Sequence, residues 1–334
     1  MDGKIAIEEH FVTPRLERVV GNVGWSPDEW RRVIDRLSDI HGRLRLMDEH
    51  GVELQLLSLA SDGINGIPER DDAVATAREA NDALAEMVAK YPTRFAGLAA
   101  LPLQDAEASA EEITRAVREL GLKGALVNGY SSVGNGNGKY LDEPEYLGFW
   151  ERVSELGVPL YLHPRDPLPG QRRIYEGRPQ LLGATWAFAV ETGTHALRLI
   201  TSGLFDRLPD LQIVLGHLGE NLPFAVARVE QRMAHVPTVK LERGPLAVFG
   251  ENFYVTTSGN YHTQSLLGVL LVMGSERVLF ATDYPFEEMR DGTDWFDQAP
   301  ISESDRLKIG RTNALSLFGL EAATTPVNGG AGSV

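Results

Sequence analysis

Short runs of aliphatic and β-branched residues recur along the chain at 4–8, 53–59, 95–101, 124–128, 159–162, 212–215, 253–257 and 277–282. Between them lie longer stretches with apolar positions at helical spacing, as at 73–90, 106–120, 146–156 and 221–234. Short strands that are apolar on both faces and alternate with amphipathic helices belong to a parallel sheet with helices covering it. Eight such units in 334 residues predict an α/β fold of the closed (β/α)8 barrel type, one domain over 1–321. An open doubly wound sheet competes, but no Gly-x-Gly-x-x-Gly follows the first strand. No internal repeat or dividing linker is evident. Residues 322–334, rich in Gly, Thr and Ala without apolar periodicity, read as a disordered tail, in part vector-derived.

Two connections exceed what joining a strand to its helix requires. Residues 11–40 separate the first strand from a helix ending near His50, and residues 164–190 follow the fifth strand. Barrel sites are built from loops at the carboxyl ends of the strands, so both insertions are expected to wall a pocket there. Gly134-Asn135-Gly136-Asn137-Gly138 reads as a flexible turn after the fourth strand.

Composition narrows the partners. Hydrophobic residues at 43% suffice for a sizeable core. A formal charge of −15 repels phosphate backbones and anionic membranes, so neither nucleic acid nor membrane is an expected partner. The chain has no Cys, which excludes disulfides, thiolate metal sites and cysteine nucleophiles and fits a reducing cytoplasm. No apolar run has the length of a signal peptide or a bilayer span. A soluble, cytoplasmic protein is expected.

The imidazoles and carboxylates carry more information through their placement than through their number. Glu8 and His10 close the first apolar run; residues two apart on a strand share a face, so both are expected in the barrel mouth with Glu9 turned away. His163 ends the fifth run, His217 the sixth and Asp283 the eighth, and in a closed barrel the first and eighth strands are neighbours. All five therefore converge on one end of one pocket. Taken singly, each has a plainer reading: a hydrogen-bonded strand-end histidine, a salt-bridge partner for Glu8, a turn starter for Asp283. Taken together, two carboxylates and two histidines make a first shell for Zn²⁺, Mn²⁺ or Mg²⁺, with open positions for substrate and no organic cofactor. His41, His50, His195, His235 and His262 fall in helices or loops and read as structural or solvated.

Several segments resemble one family throughout residues 1 to about 320. They are Gly3-Lys4-Ile5-Ala6-Ile7-Glu8-Glu9-His10-Phe11, Ala99-Ala100-Leu101-Pro102-Leu103-Gln104, Gly124-Ala125-Leu126-Val127-Asn128-Gly129, Tyr161-Leu162-His163-Pro164-Arg165, Thr185-Trp186-Ala187-Phe188, Gly216-His217-Leu218-Gly219-Glu220 and Thr282-Asp283-Tyr284-Pro285-Phe286-Glu287. This set is similar to the amidohydrolase superfamily, within it to the metal-dependent aromatic decarboxylases related to γ-resorcylate (2,6-dihydroxybenzoate) and 2,3-dihydroxybenzoate decarboxylase. Hydrolases of that superfamily usually open with His-x-His and often carry a bridging carbamylated Lys; here Glu8-x-His10 stands instead and no Lys closes a strand, which implies a single metal ion.

The resemblance implies Glu8, His10, His163 and Asp283 as metal ligands in a carboxy-lyase that removes CO2 from an ortho-hydroxybenzoate, reversibly. Direct loss of CO2 from an arene would leave an unstable aryl carbanion, whereas protonating the carboxyl-bearing ring carbon first lets the departure of CO2 restore aromaticity. By the same resemblance Asp283 delivers that proton, which calls for a raised pKa that burial and nearby anions favour and a metal cation opposes. His217 would hold Asp283 and Glu220 would fix the tautomer of His217; a first-turn helix carboxylate is the plainer reading of Glu220. Arg228 would contact a substrate oxygen or else lie on a helix surface or subunit interface. Asn128 lines the pocket or bonds a loop backbone, and Trp25 and Trp186 are aromatic walls or packing residues. A homo-oligomer, tetramer or dimer, is a further implication. One departure stands out: after the second strand the family often has Asn-Ala-Pro or Thr-Ala-Pro, where this chain has Ala60-Ser61-Asp62-Gly63, so the substrate's ring substituents stay open. The alternative on the same shell is a metal-dependent amide or lactone hydrolase with Asp283 as base.

Overall fold

A computed structural model describes residues 1–22, 24–236 and 240–321; the tail expected at 322–334 lies outside them. Eight parallel strands occupy the apolar runs: β1 (Lys4–Phe11), β2 (Val52–Leu59), β3 (Phe95–Gly97), β4 (Ala125–Asn128), β5 (Leu160–His163), β6 (Ile213–Leu215), β7 (Phe253–Thr256) and β8 (Val278–Leu279). Strands β1, β2 and β3 pair in that order, as do β4 through β8. An Ala99–Ala125 bridge, with Leu126 N–H donating to the Ala99 carbonyl at 2.9 Å, joins β3 to β4. On the other side Ile7 N–H reaches the Phe280 carbonyl at 3.1 Å and His10 N–H the Tyr284 carbonyl at 2.8 Å. These bonds return β8 to β1, and the fold is the (β/α)8 barrel that the alternation of runs and helices predicts, not the open sheet.

Two apolar compartments follow from strands buried on both faces. Ile5, Ile7, Leu56, Leu126, Val214 and Leu279 cluster with Ala314 and Phe318 of the last helix, while Ala6, Leu57, Val127, Leu162 and Leu215 pack with the surrounding helices. The pairing of β1 with β2 slips between Ala6 and Glu9: three steps on β1 match two on β2, from Gln55 to Leu57. Such a bulge reverses which face the following residues take. It allows Ile5 and Ile7 to be interior and Glu8 and His10 to be interior as well.

Boundaries shift where side chains or prolines intervene. The eighth strand, expected over 277–282, pairs only at Val278–Leu279. There the Thr257 hydroxyl accepts from the Ala281 N–H at 3.0 Å and donates to the Ala281 carbonyl at 2.9 Å, which ends the ladder. The helix expected from 221 begins as a 3-10 turn, Leu222–Phe224, which contains Pro223, and becomes α-helical at Val226–Met233. The 11–40 insertion carries a helix, Pro27–Ser38, started by a Ser26/Glu29 capping box and Pro27. The 164–190 insertion is a chain of 3-10 turns that enters the helix Ala187–Thr201. The Gly/Asn run forms the turn of a small hairpin, Ser131–Ser132 with Gly138–Lys139. Among the described residues no helix is long and apolar enough to cross a membrane.

Candidate active site

The bulge on β1 sets the centre of the site. Glu8, His10, His163 and Asp283 each offer one ligand atom, and these atoms lie within 4.8 Å of one another. His163 Nε2 is 3.3 Å from Glu8 Oε1, and His10 Nε2 is 3.2 Å from Asp283 Oδ1. Gly216 faces this centre, where a Cβ would stand 3.0 Å from Glu8 Oε2 and 3.2 Å from the Tyr161 hydroxyl; glycine is what lets the carboxylate approach.

The backs of the ligands are tied down. Ser58 Oγ is 3.2 Å from His10 Nδ1, Asn128 Oδ1 is 2.8 Å from His163 Nδ1, and Glu8 Oε2 accepts from the Tyr161 hydroxyl and from Thr256 Oγ1 at 3.0 Å. With an amide oxygen as its partner, His163 Nδ1 carries the hydrogen and Nε2 presents its lone pair inward. Yet Glu8 Oε1, His10 Nε2 and Asp283 Oδ1 are buried without a hydrogen-bond partner. Buried polar atoms rarely go unmatched. Three of them aimed at one point, in an imidazole and carboxylate donor set, fit a hard or borderline divalent cation.

His217 stands beside this centre, its Nε2 3.7 Å from Asp283 Oδ2 and 3.8 Å from Glu8 Oε1, and its Nδ1 2.6 Å from Glu220 Oε1. Its ring is held through a backbone in which His217, Leu218, Glu220 and Asn221 all take left-handed φ angles near 50–65°, as does Asp283. Such conformations cost energy in non-glycine residues and persist where the surroundings impose them. Here the Ser258 hydroxyl accepts from His217 N–H at 3.1 Å, and the Thr256 carbonyl from Leu218 N–H at 2.8 Å.

Charge is distributed accordingly. Burial pushes Glu8 up, but the facing His217, His163 and His10 outweigh it and hold Glu8 well below the usual carboxylate range. Burial also favours neutral Asp283, but the His10 and His217 side chains hold it below its ordinary value. His217 goes the other way: burial opposes its charge, while Glu220, Glu8 and Asp283 raise it well above the usual imidazole value. Of the opposing influences on Asp283, the two histidines that face it outweigh its burial. Glu287 is pushed up to about 7 by burial and then by the charge of Asp283.

Two adjoining lobes open onto His217, Ala184 and Phe188. One, of ≈ 100 Å³, is lined by Trp25, Trp30, Ser61, His163, Pro164, Asp283, Phe286 and Glu287. The other, of ≈ 280 Å³, is lined by Thr185, Trp186, Glu220, Asn221 and Asn260. Together they are near the lower end of the roughly 300–1,000 Å³ typical of ligand clefts. Both insertions thus wall the pocket, and Trp25 and Trp186 lie in its walls. Asn128 does not: it is buried behind His163 and bonds that ring, which corrects its placement among pocket-lining residues. Arg228 is exposed on the helix Val226–Met233 and belongs to neither lining. Glu220 bonds His217 and caps no helix.

Sequence reasoning missed Trp30, Phe286 and Glu287 as walls and Ser58, Tyr161 and Thr256 as supports. Phe286 and Glu287 follow Asp283 closely and were within reach of the motif; the supports come from three different strands and carry no local signal. Asn128→Ala is expected to lower metal affinity about 10- to 100-fold by freeing the His163 ring. Metal titration of the variant checks this, and wild-type affinity would reduce Asn128 to a packing residue.

The amidohydrolase family profile matches residues 11–320. Over 330 residues the chain is 54% identical to gamma-resorcylate decarboxylase of Rhodococcus jostii strain RHA1, across 96% of this chain and 100% of that protein. Among solved structures it is similar to 2,6-dihydroxybenzoate decarboxylase complexed with 2,6-dihydroxybenzoate, at 51% identity and a TM-score of 0.92, covering 96% of this chain and 100% of that one. It is similar also to dihydroxybenzoic acid decarboxylase from Polaromonas sp. JS666 with bound manganese and the inhibitor 2-nitroresorcinol, at 50% identity and a TM-score of 0.92, covering 97% and 98%.

Proposed function

The chain belongs to the amidohydrolase family, and from that premise we propose that it is a metal-dependent carboxy-lyase converting 2,6-dihydroxybenzoate to resorcinol and CO2, reversibly and without oxidation. The observation that carries the reading is the trio of unpartnered buried atoms on Glu8, His10 and Asp283, the last of which lines an aromatic-walled cavity together with His163. Glu8, His10, His163 and Asp283 would hold the ion. When bound, a divalent cation such as Mn²⁺ supplies the positive charge that anchors a carboxylate and an ortho-phenolate and polarises the ring.

The chain's own groups do the rest. Trp25, Trp30 and Phe286 enclose a planar ring and exclude water from it. His217 holds the proton at Nε2, stabilised by Glu220 at Nδ1, and passes it to Asp283 Oδ2. Asp283 delivers it to the carboxyl-bearing ring carbon. The C–C bond then breaks, its electrons return to the ring, and CO2 leaves; one proton is consumed for each CO2 released. No separate observation favours the amide or lactone hydrolase.

Glu220→Gln tests the proton path. Without the adjacent anion His217 falls towards its ordinary pKa, so its proton is lost at lower pH than in the wild type. The alkaline limb of kcat should move to lower pH and kcat near neutrality should drop about 10- to 100-fold; an unmoved limb removes His217 from the path.

The reading as a whole is tested by assaying metal-loaded protein against 2,6-dihydroxybenzoate, 2,3-dihydroxybenzoate, salicylate and 2,4-dihydroxy-6-methylbenzoate. Turnover of 2,6-dihydroxybenzoate first, abolished by chelation and restored by Mn²⁺, is the expected result; silence across the panel with metal bound turns the reading to the hydrolase. The proposal includes a cytoplasmic homo-oligomer, dimer or tetramer. Phe224 and Leu271, 63% and 89% exposed, offer apolar surface for a second copy, and sedimentation of the purified chain checks the oligomeric state.

A further inference from the structure

Glu9 is fully buried although it turns away from the metal centre, and the reaction makes no use of it. Its Oε1 accepts from the Thr282 N–H at 2.8 Å and the Thr282 hydroxyl at 2.9 Å; its Oε2 lies 2.7 Å from the same hydroxyl and accepts from Gln55 Nε2 at 3.1 Å. Gln55 Oε1 in turn accepts from fully buried Arg43 at 3.2 Å, and the other arm of that guanidinium donates to the carbonyl of His10. Arg43 also lies 4.7 Å over the ring of Tyr284. The bonds run from His10 through Arg43, Gln55 and Glu9 to Thr282. This circuit ties a metal-ligand residue on β1 to the residue that precedes Asp283.

The reason for such a circuit lies in the sheet. The β8 ladder to β7 ends at Leu279, and the bonds to β1 fall on the Phe280 and Tyr284 carbonyls, so no strand bond takes the N–H of Thr282 between them. Asp283 moreover holds a left-handed φ of 56°, which an L-residue keeps only when its surroundings impose it. The Glu9 carboxylate accepts the Thr282 N–H that a neighbouring strand would otherwise take. A buried carboxyl group is tolerated when its oxygens are hydrogen-bonded, as both of these are, and a fully matched buried network is rigid.

We propose that Glu9, with Gln55, Arg43 and Thr282, is a positioning clamp that fixes the Asp283 carboxylate against His10 and His217 for proton delivery. The inference rests on the reading of Asp283 as the proton-delivering group. Glu9 touches neither substrate nor ion; it acts through the backbone on either side of the two ligands.

The test uses the metal-loaded full chain. Glu9→Gln should lower kcat about 10- to 100-fold, the usual range for a residue supporting a metal ligand, while KM and bound metal stay near wild type. The exchange Glu9→Gln with Gln55→Glu should restore most of kcat. In that double variant the amide at position 9 can accept from Thr282 through its oxygen and donate through its nitrogen to the carboxylate at position 55, which pairs with Arg43. Thr282→Val, which removes only the hydroxyl, is the milder second variant should Glu9→Gln fail to fold, and should reproduce the split between kcat and KM. Crystal structures of the variants read the clamp without reference to turnover: the 3.7 Å approach of Asp283 Oδ2 to His217 Nε2 should lengthen while the metal-facing atoms stay in place. Wild-type kcat in either single variant, or a fall in kcat matched by loss of bound metal, overturns the clamp. If the wild type itself leaves 2,6-dihydroxybenzoate untouched, the functional reading fails, and the position of Asp283 in the variant structures still decides the clamp.

Discussion

Asp283→Asn is expected to retain its metal and to lose turnover on the order of 10³- to 10⁴-fold, the upper part of what a positioned acid contributes. The substitution keeps the shape of the side chain and an oxygen that can face the ion, and Glu8, His10 and His163 remain as ligands. What disappears is the atom that receives a proton from His217 and hands it to the ring. KM should therefore change little while kcat collapses, the signature of an interaction needed only in the transition state. Steady-state kinetics together with metal analysis of the same preparation read both halves. Turnover near the wild-type rate would sink the proton-delivery mechanism with the fold intact, and metal lost along with activity would make ligation the main office of Asp283.

His163→Ala should behave differently, because the ring is both a proposed metal donor and a close partner of a buried carboxylate. Its Nε2 lies 3.3 Å from Glu8 Oε1, an atom with no hydrogen bond of its own. Removing the ring takes away one of two nitrogen donors and leaves the Glu8 carboxylate with less to offset its burial. Bound metal is expected to fall from about one ion per chain to a trace, and decarboxylation to fall to background with it. Excess Mn²⁺ should recover only part of the activity. A variant that keeps a full complement of metal would remove His163 from the ligand set. The contrast with Asn128→Ala, which loosens the same ring without deleting it, separates loss of a ligand from loss of its orientation.

Much of this site is legible in the sequence because barrel strands are short and end where their apolar runs end. Glu8, His10, His163, His217 and Asp283 each terminate such a run, so recognising the barrel is enough to gather them. Glu220 is three residues from His217, close enough for a local pairing that the structure contains at 2.6 Å. The resemblance supplied what spacing could not: which of the histidines are expected to ligate, and which reaction the shell is expected to serve.

What the sequence by itself determined is the eightfold alternation, the ligand chemistry and the end of the barrel at which it gathers, since these follow from local periodicity and from residue types at strand ends. Tertiary structure alone decided the rest. The bulge between Ala6 and Glu9 turns Glu8 and His10 inward, and it exists only in the pairing of β1 with β2. Asn128 bonds His163 because β4 and β5 bring the two residues to partnered positions in register. Arg228 is exposed on the helix that follows the turn containing Pro223. Asp283 lies below and His217 above its ordinary pKa because side chains from other strands close on each of them. In each case the deciding contact joins residues far apart in the chain, and no local pattern of hydrophobic and polar positions encodes it.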